Sequence, residues 1–157
     1  MRDRVPLMEI NGLPLHALIT HAAVVFGPLS ALAGVLYAAV PRWRDRLRWP
    51  LVVIVAIAVG SIWIAFLSGE QVEEANGPYT GEFGELVETH EERAQILRWV
   101  ASGFAVVAFA AAWWHTRAGA LRAVLLGLTG VGAIATGIYV VMTGDAGAHV
   151  AWYGVKP

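Results

Sequence analysis

Histidine is the residue type in this chain best suited to chemistry. Four of the five histidines lie at the ends of apolar segments, and these ends are expected on the same side of the membrane. His16 and His21 begin the first long apolar segment, His90 precedes the third, and His149 follows the fourth. Neutral imidazoles bind haem iron and transition metals, so this placement indicates a cofactor site. The chain has no cysteine, which excludes iron–sulfur clusters, c-type haem attachment and thiolate metal sites.

A b-type haem is the cofactor that we expect. It needs two imidazoles on facing helices, small residues beside the ring and cations near the propionates. We expect His16 and His90 to be the axial pair, while His21 and His149 hold a second haem or hydrogen-bond the first pair. The other residues expected at this site are Gly27 and Gly130 beside the ring and Arg93 and Arg98 near the propionates.

Two other functions are compatible with the same four histidines. Zinc or copper would bind two or three imidazoles with a carboxylate such as Glu70, Glu91 or Asp145. A non-catalytic membrane subunit of a larger complex would use the histidines and acids only at helix ends in the headgroup region. No serine nucleophile with a base, phosphate loop or nucleic-acid patch is visible. We therefore expect an electron-transfer or accessory protein more than a stand-alone enzyme.

The composition predicts an integral membrane protein that sits in a lipid bilayer. Of 157 residues, 57% are hydrophobic and 15% are charged, and the mean hydropathy is +0.59. Four apolar segments have the length of spanning helices, which predicts one domain over 1–157 with helices at about 13–40, 51–68, 88–115 and 122–144. Pro41 and Pro50 are expected to bracket the first connection, and Gly69 to end the second helix. Short connections then give two antiparallel hairpins in an all-α four-helix bundle.

The charges predict the orientation of the bundle. Six of the eleven basic residues lie in two short loops at one end, whereas eleven of the twelve acidic residues lie on the other side. Basic loops face the cytoplasm, so both termini and four histidines are expected outside. His115 is expected at the cytoplasmic end with arginines as its only charged neighbours. Arg98, near the first turn of the third helix, should pair with Glu70, Asp145 or a propionate.

The two halves of the chain resemble each other, which predicts a repeated hairpin. His16 precedes Ser68-Gly69-Glu70 by 52 positions, and His90 precedes Thr143-Gly144-Asp145 by 53. Two copies in the same topology imply a pseudo-two-fold axis along the membrane normal, with His16 and His90 as equivalent partners. The fourth helix also carries small residues at seven-residue spacing, which predicts close helix packing or room for a flat macrocycle. These residues are Ala123, Gly130, Gly137 and Gly144.

Several short motifs resemble those of the family called domain of unknown function 2231. The segment "LPLHALITHAAVVFGPLS" is similar to its HPxxVHFP-type opening, with Ala17 and Ala23 in place of the prolines. "HEERA", the "TG" near the end of the fourth helix and "GAHVAWYGV" resemble its later histidine motifs. The resemblance implies a four-helix protein of the bacterial inner membrane whose relatives are joined to Rieske or cytochrome c domains. Redox partner proteins, quinone or a second copy of the chain are the partners that we then expect, and no nucleic acid.

Overall fold

Four long helices form almost all of the structure. The computed structural model describes residues 9–155. A two-stranded hairpin, β1 (Glu9–Ile10) and β2 (Leu13–Pro14), leads into α1 (Leu15–Ala39), and a 3-10 turn at Pro41–Trp43 leads into α2 (Arg44–Asn76). The remaining helices are α3 (Gly81–Trp113) and α4 (Ala120–Ala151). The predicted all-α four-helix bundle is confirmed, with the small N-terminal hairpin as an addition to it.

The helices surround a core of small side chains. Each of α1 and α3 packs against both α2 and α4, so α1 and α3 lie diagonally across the bundle. Buried alanines, serines and threonines occupy the interior, whereas large apolar side chains such as Val106, Val131 and Val141 are exposed. Small residues let helices approach closely, and exposed apolar side chains suit contact with lipid. All four helices are long and apolar enough to cross a membrane.

The two ends of the bundle differ in their ionisable residues. We call the end where α1 begins and α2 ends the histidine end, because His16 and His90 lie there. The opposite end, which holds the 3-10 turn and the connection from α3 to α4, is called the arginine end. Its six arginines are Arg42, Arg44, Arg46, Arg48, Arg117 and Arg122.

The helices extend further than the apolar segments on which they were predicted. α2 begins at Arg44 and passes through both Pro50 and Gly69 to Asn76, and only residues 77–80 separate it from α3. The expected boundaries at Pro50 and Gly69 were therefore wrong. Pro50 is the seventh residue of α2, so it removes the backbone hydrogen bond to the carbonyl of Arg46, but the helix continues through it. Gly69 lies inside the helix, and the ring of His16 packs on it, which accounts for a glycine at a position that does not end the helix.

Arginine side chains at the arginine end satisfy the carbonyls at two helix ends. Arg44 donates from Nε to the carbonyl of Tyr37 at 3.0 Å and from Nη2 to that of Ala38 at 2.7 Å. Arg48 donates from Nε to the carbonyl of Ala112 at 2.9 Å. The last carbonyls of a helix have no partner within it and carry partial negative charge, so cations stabilise them. The basic run thus closes the ends of α1 and α3.

The buried positions repeat between the two hairpins. A shift of 74 positions carries the buried residues 27, 30, 31, 34 and 37 of α1 onto buried residues 101, 104, 105, 108 and 111 of α3. A shift of 78 positions carries residues 51, 55, 58, 62 and 68 of α2 onto residues 129, 133, 136, 140 and 146 of α4, again all buried. The repeated hairpin predicted from the sequence is therefore present in the packing.

The register of this repeat corrects one equivalence that the sequence suggested. Ser68-Gly69-Glu70 was matched to Thr143-Gly144-Asp145, but the 78-residue shift places Gly69 on Gly147. The two candidate registers differ by three residues, which is close to one helical turn. Small residues spaced one turn apart look alike in sequence, and only the packing identifies the equivalent pair.

Two glycines, one packed against α3 and α4 and one with open space beside it, give a matched test of this packing. A Cβ added at Gly34 would lie 2.7 Å from both Ala133 Cβ and Phe104 Cζ, whereas nothing lies within 4 Å of one added at Gly103. Gly34→Ala should destabilise the bundle by about 1–3 kcal/mol because it overpacks the core. Gly103→Ala should be neutral or stabilising by up to about 1 kcal/mol. Unfolding temperatures in detergent micelles measure both effects, and equal effects would contradict the packing of α1 on α4.

Candidate functional site at the histidine end

His16 joins α1 to α2 at the histidine end. Its Nδ1 lies 2.8 Å from the carbonyl oxygen of Ala65, and its ring rests on Gly69, where an added Cβ would be 3.1 Å from Cε1. The hydroxyl of Ser68 lies 3.5 Å from the same Nδ1. The ring is partly buried. Glycine at position 69 thus lets the imidazole reach the backbone of the neighbouring helix.

His90 repeats this arrangement between α3 and α4. Its Nδ1 lies 3.1 Å from the carbonyl oxygen of Thr143. Its ring rests on Gly147, where an added Cβ would be 2.9 Å from Cε1. In both hairpins the glycine follows the carbonyl residue by four positions, which is about one helical turn. The equivalence of His16 and His90 expected from the sequence therefore extends to their contacts.

The hydrogen bonds determine the tautomer of both imidazoles. A carbonyl oxygen only accepts, so Nδ1 of each ring carries the proton and donates. Nε2 then holds the free lone pair, and none of residues 9–155 forms a hydrogen bond with Nε2 of either ring. This orientation is the usual one for a metal-binding histidine, whose second nitrogen is anchored to a carbonyl or carboxylate.

The surroundings of the two rings are suited to a bound group. Beside His90, the hydroxyl of Thr143 is buried and has no hydrogen-bond partner among the described residues. The space beside Gly69 and Gly147 is occupied by the two imidazole rings. Each hairpin therefore supplies one anchored imidazole, and the hairpin of α3 and α4 adds an unused hydroxyl beside it.

The other two histidines of this end do not join the pair. His21 Nδ1 lies 2.8 Å from the carbonyl of Ala17 in its own helix, and its side chain is exposed. His149 is also exposed, and its Nε2 lies 3.8 Å from Asp145 Oδ1. Arg93 lies nearer the site, because it donates to the carbonyl of Met142 at 2.9 Å and lies 3.7 Å from Asp145.

The two glycines predicted beside a cofactor ring instead lie in the contact between α1 and α4. A Cβ added at Gly27 would be 2.8 Å from a methyl group of Val140, and one at Gly130 would be 3.4 Å from Ala38 Cβ. Gly137 meets Ala31 in the same contact, whereas nothing lies within 4 Å of Gly144. The seven-residue spacing therefore serves helix packing over part of α4, and the glycines that contact the imidazoles are Gly69 and Gly147.

Comparison with known proteins identifies the family. The profile of the family described as "Predicted membrane protein (DUF2231)" matches residues 12–156. The chain belongs to this family. No curated protein and no solved structure matches it. The match includes both halves of the bundle, and with the four apolar helices it makes the chain a multi-pass membrane protein.

At the arginine end of this DUF2231 protein, the buried residues His115 and Tyr37 form a polar network with the exposed carboxylate of Asp45. His115 is 8% exposed, and its Nε2 donates to Asp45 Oδ1. Its Nδ1 lies 2.9 Å from the hydroxyl of Tyr37, which is 1% exposed and also lies 3.1 Å from the carbonyl of Ala111. Three helical segments are thereby joined, since Tyr37 is in α1, Asp45 in α2, and His115 follows α3. The expectation that arginines were its only charged neighbours was wrong.

A signal for this network exists in the sequence. Asp45 is the single acidic residue in the two basic connections, and His115 is the single histidine there. Opposite charges at one end of a bundle favour pairing. The partner that the sequence gives no reason to choose is Tyr37, because a tyrosine near a helix end is equally typical of the membrane interface.

We expect His115 to contribute more to stability than any exposed histidine. His115→Ala removes a buried imidazole and leaves Tyr37 and Asp45 without their shared partner, so the free energy of unfolding should fall by about 1–3 kcal/mol. His21→Ala is the matched control, since it removes an exposed ring bonded to its own helix and should change stability by about 0.5 kcal/mol or less. Thermal unfolding in detergent compares the two variants. A control that loses as much as His115→Ala would contradict the network.

Proposed function

We propose that the protein is a membrane-embedded b-type haem protein that transfers electrons, with His16 and His90 as the axial ligands. The observation that carries this proposal is the matched pair of Nδ1–carbonyl hydrogen bonds. They hold both rings in the tautomer whose Nε2 lone pair is available to iron. Because the pair repeats across the pseudo-two-fold axis, it would offer a haem iron one imidazole from each hairpin.

The residues around the pair fit such a group. Gly69 and Gly147 let the imidazoles lie against neighbouring helices, and the buried Thr143 hydroxyl can donate to an acceptor beside His90. Arg93 supplies a cation at the same end of the bundle, which suits a propionate. A bound haem would supply reversible one-electron transfer. The protein's own part is to fix the ring orientation and to exclude water from the apolar side.

A zinc or copper site has less support. A metal ion of this kind takes three or four protein ligands, and residues 9–155 contain no group of three or more histidine, aspartate or glutamate side chains placed to hold one. Two imidazoles are sufficient for haem, because the porphyrin supplies the other four nitrogens. A purely structural subunit would explain the carbonyl contacts but not the repeated free Nε2.

Electron transfer in this proposal takes place at one end of the bundle. His115 uses Nε2 for Asp45 and Nδ1 for Tyr37, so neither nitrogen is free to bind a second haem. Residues 9–155 contain no other histidine at the arginine end. Both axial ligands come from one chain, so the proposal requires no second copy.

The proposed location is the bacterial inner membrane with the histidine end outside. Six arginines at the opposite end favour a cytoplasmic arginine end. The electron partner is then an extracytoplasmic redox protein or a quinone that reaches the site from the outer leaflet. Quinone reaches such a site through lipid, whereas a soluble domain of the Rieske or cytochrome c type reaches it from the aqueous side.

An optical spectrum tests the haem proposal directly. Protein produced with ample haem precursor should show a low-spin Soret band that sharpens, with an alpha band, on reduction by dithionite. His16→Ala and His90→Ala should each abolish the low-spin spectrum while far-ultraviolet circular dichroism stays helical, because one imidazole leaves the iron five-coordinate or unbound.

His21→Ala and His149→Ala are the controls, and both should keep the wild-type spectrum because neither ring contacts the pair. A wild-type protein without any Soret band would refute the proposal. Zinc and copper measured on that same sample would then separate a metal site from a structural role.

Single cysteines test the orientation, since the chain has none of its own. Ala75 lies in α2 at the histidine end and Ala120 begins α4 at the arginine end. In intact spheroplasts, Ala75→Cys should react with a membrane-impermeant maleimide, whereas Ala120→Cys should react only after lysis. The reverse pattern would place the histidine end in the cytoplasm.

A further inference from the structure

Arg98 lies in a cage of three aromatic rings between α3 and α2. Its guanidinium carbon is 3.8 Å from the centroid of Phe66, 5.2 Å from that of Trp63 and 5.3 Å from that of Trp99. The two indoles meet edge to face at 5.5 Å, and Trp63 Nε1 donates to Ser102 Oγ at 2.9 Å. The rings are thus held in place by contacts other than the one with the cation. Cation–π contacts of this kind stabilise a guanidinium in an apolar setting.

No carboxylate among the described residues balances the charge of Arg98. It forms no salt bridge with any of residues 9–155, and its Nε is buried without a hydrogen-bond partner. Pairing with Glu70, Asp145 or a propionate was expected, but neither carboxylate forms a salt bridge with Arg98, and Asp145 lies beside Arg93 and His149. Aromatic rings offset part of the charge but supply no acceptor for the N–H groups.

The position of Arg98 along the helix places it where headgroups meet hydrocarbon. The apolar part of α3 begins at about Ile96, and Trp63 and Phe66 lie in the last turns of the apolar part of α2. A charged side chain at this depth is costly unless it reaches a polar partner at the interface. Trp99 is 59% exposed, so the cage lies on the lateral surface of the bundle and not in its core.

The pseudo-two-fold repeat shows that the bundle does not need this cage. The shifts of 74 positions for α3 and 78 positions for α2 place three valines and one glycine of the α1–α4 face at the positions of the four cage residues. These equivalents are Val24 for Arg98, Val25 for Trp99, Val141 for Trp63 and Gly144 for Phe66. That face instead carries an open apolar groove of about 520 Å³, lined by residues such as Gly137 and Met142. The cage is therefore an addition to one of two equivalent faces.

We propose that Arg98 binds the phosphate of an anionic membrane phospholipid, with Trp63, Phe66 and Trp99 packed against its glycerol and upper acyl chains. A phosphate supplies both the negative charge and the acceptor oxygens that Arg98 lacks, and arginine binds phosphate with two parallel hydrogen bonds. A lipid is favoured over a free anion because Trp99 is exposed on the lateral face, where acyl chains lie, while Trp63 and Phe66 are half-buried beside it. A neutral quinone would leave the charge unbalanced.

This site is separate from the proposed haem site. Arg98 follows His90 by eight residues, or about 12 Å of helix rise, and it faces α2 whereas His90 faces α4. The lipid proposal therefore does not rest on haem binding. Loss of the lipid site should leave any low-spin spectrum in place.

Lipid-dependent stability tests the proposal with the full chain in detergent. Phosphatidylglycerol should raise the unfolding temperature at a lower concentration than phosphatidylcholine does. Arg98→Gln should raise the half-saturating concentration of phosphatidylglycerol by about tenfold or more, since a charge-assisted bidentate contact is lost. Arg117→Gln makes the same change in net charge at an exposed position of the arginine end, and it should keep the preference.

Phe66→Leu gives a second test in case Arg98→Gln fails to fold. It keeps the charge, removes the nearest ring and should reduce the preference for phosphatidylglycerol. Equal shifts with both lipids, or an unchanged preference in whichever variant folds, would overturn the proposal. If inorganic phosphate reproduced the shift at the same concentration, the site would bind free anions and the lipid assignment would be wrong.

Discussion

Backbone carbonyls of neighbouring helices are the partners on which the polar side chains of this bundle depend. His16 and His90 donate to carbonyls at the histidine end, and Arg48 does the same at the arginine end. Serine and threonine hydroxyls turn back to carbonyls of their own helix, as Ser61 and Thr129 do. In hydrocarbon no water is available, so each donor must find an acceptor within the protein. Helical carbonyls can accept a second hydrogen bond, and small residues let side chains reach them.

The same constraint explains why the unsatisfied groups are informative. When one nitrogen of an imidazole donates a hydrogen bond to a carbonyl, the other nitrogen can bind a different partner. At His115 that second partner is present, so the ring is a structural link between three helical segments. At His16 and His90 no group in residues 9–155 takes the second nitrogen. The difference between the two ends of the bundle is therefore a difference in what each histidine has left unused.

Much of the fold could be predicted because apolar length and loop charge depend only on sequence. The four spans and the equivalence of His16 and His90 follow from these patterns. The end of α2 could not be predicted, since Gly69 looks like a helix end in the sequence but makes room for a ring that is 53 positions away in the chain. The partners of His115 and Arg98 depend on which helix faces are opposed. Side-chain type shows that such groups need a partner, but only packing shows whether the partner is a carboxylate, a hydroxyl or an aromatic ring.

The repeated hairpin links these observations, because duplication gives each helix face a counterpart with which it can be compared. The histidine contacts are kept in both copies, as a site on the pseudo-two-fold axis requires when its ligands must be equivalent. The aromatic cage around Arg98 is found in only one of the two hairpin contacts. A site on a lateral face lies away from the axis, so it does not need an equivalent residue from the other half. Likewise, the polar network of Tyr37 has no counterpart, since a shift of 74 positions carries Tyr37 onto Ala111, whose carbonyl accepts from that tyrosine. The contacts kept by the repeat are thus those on which the proposed haem site depends, and the contacts that break it include those on which the proposed lipid site depends.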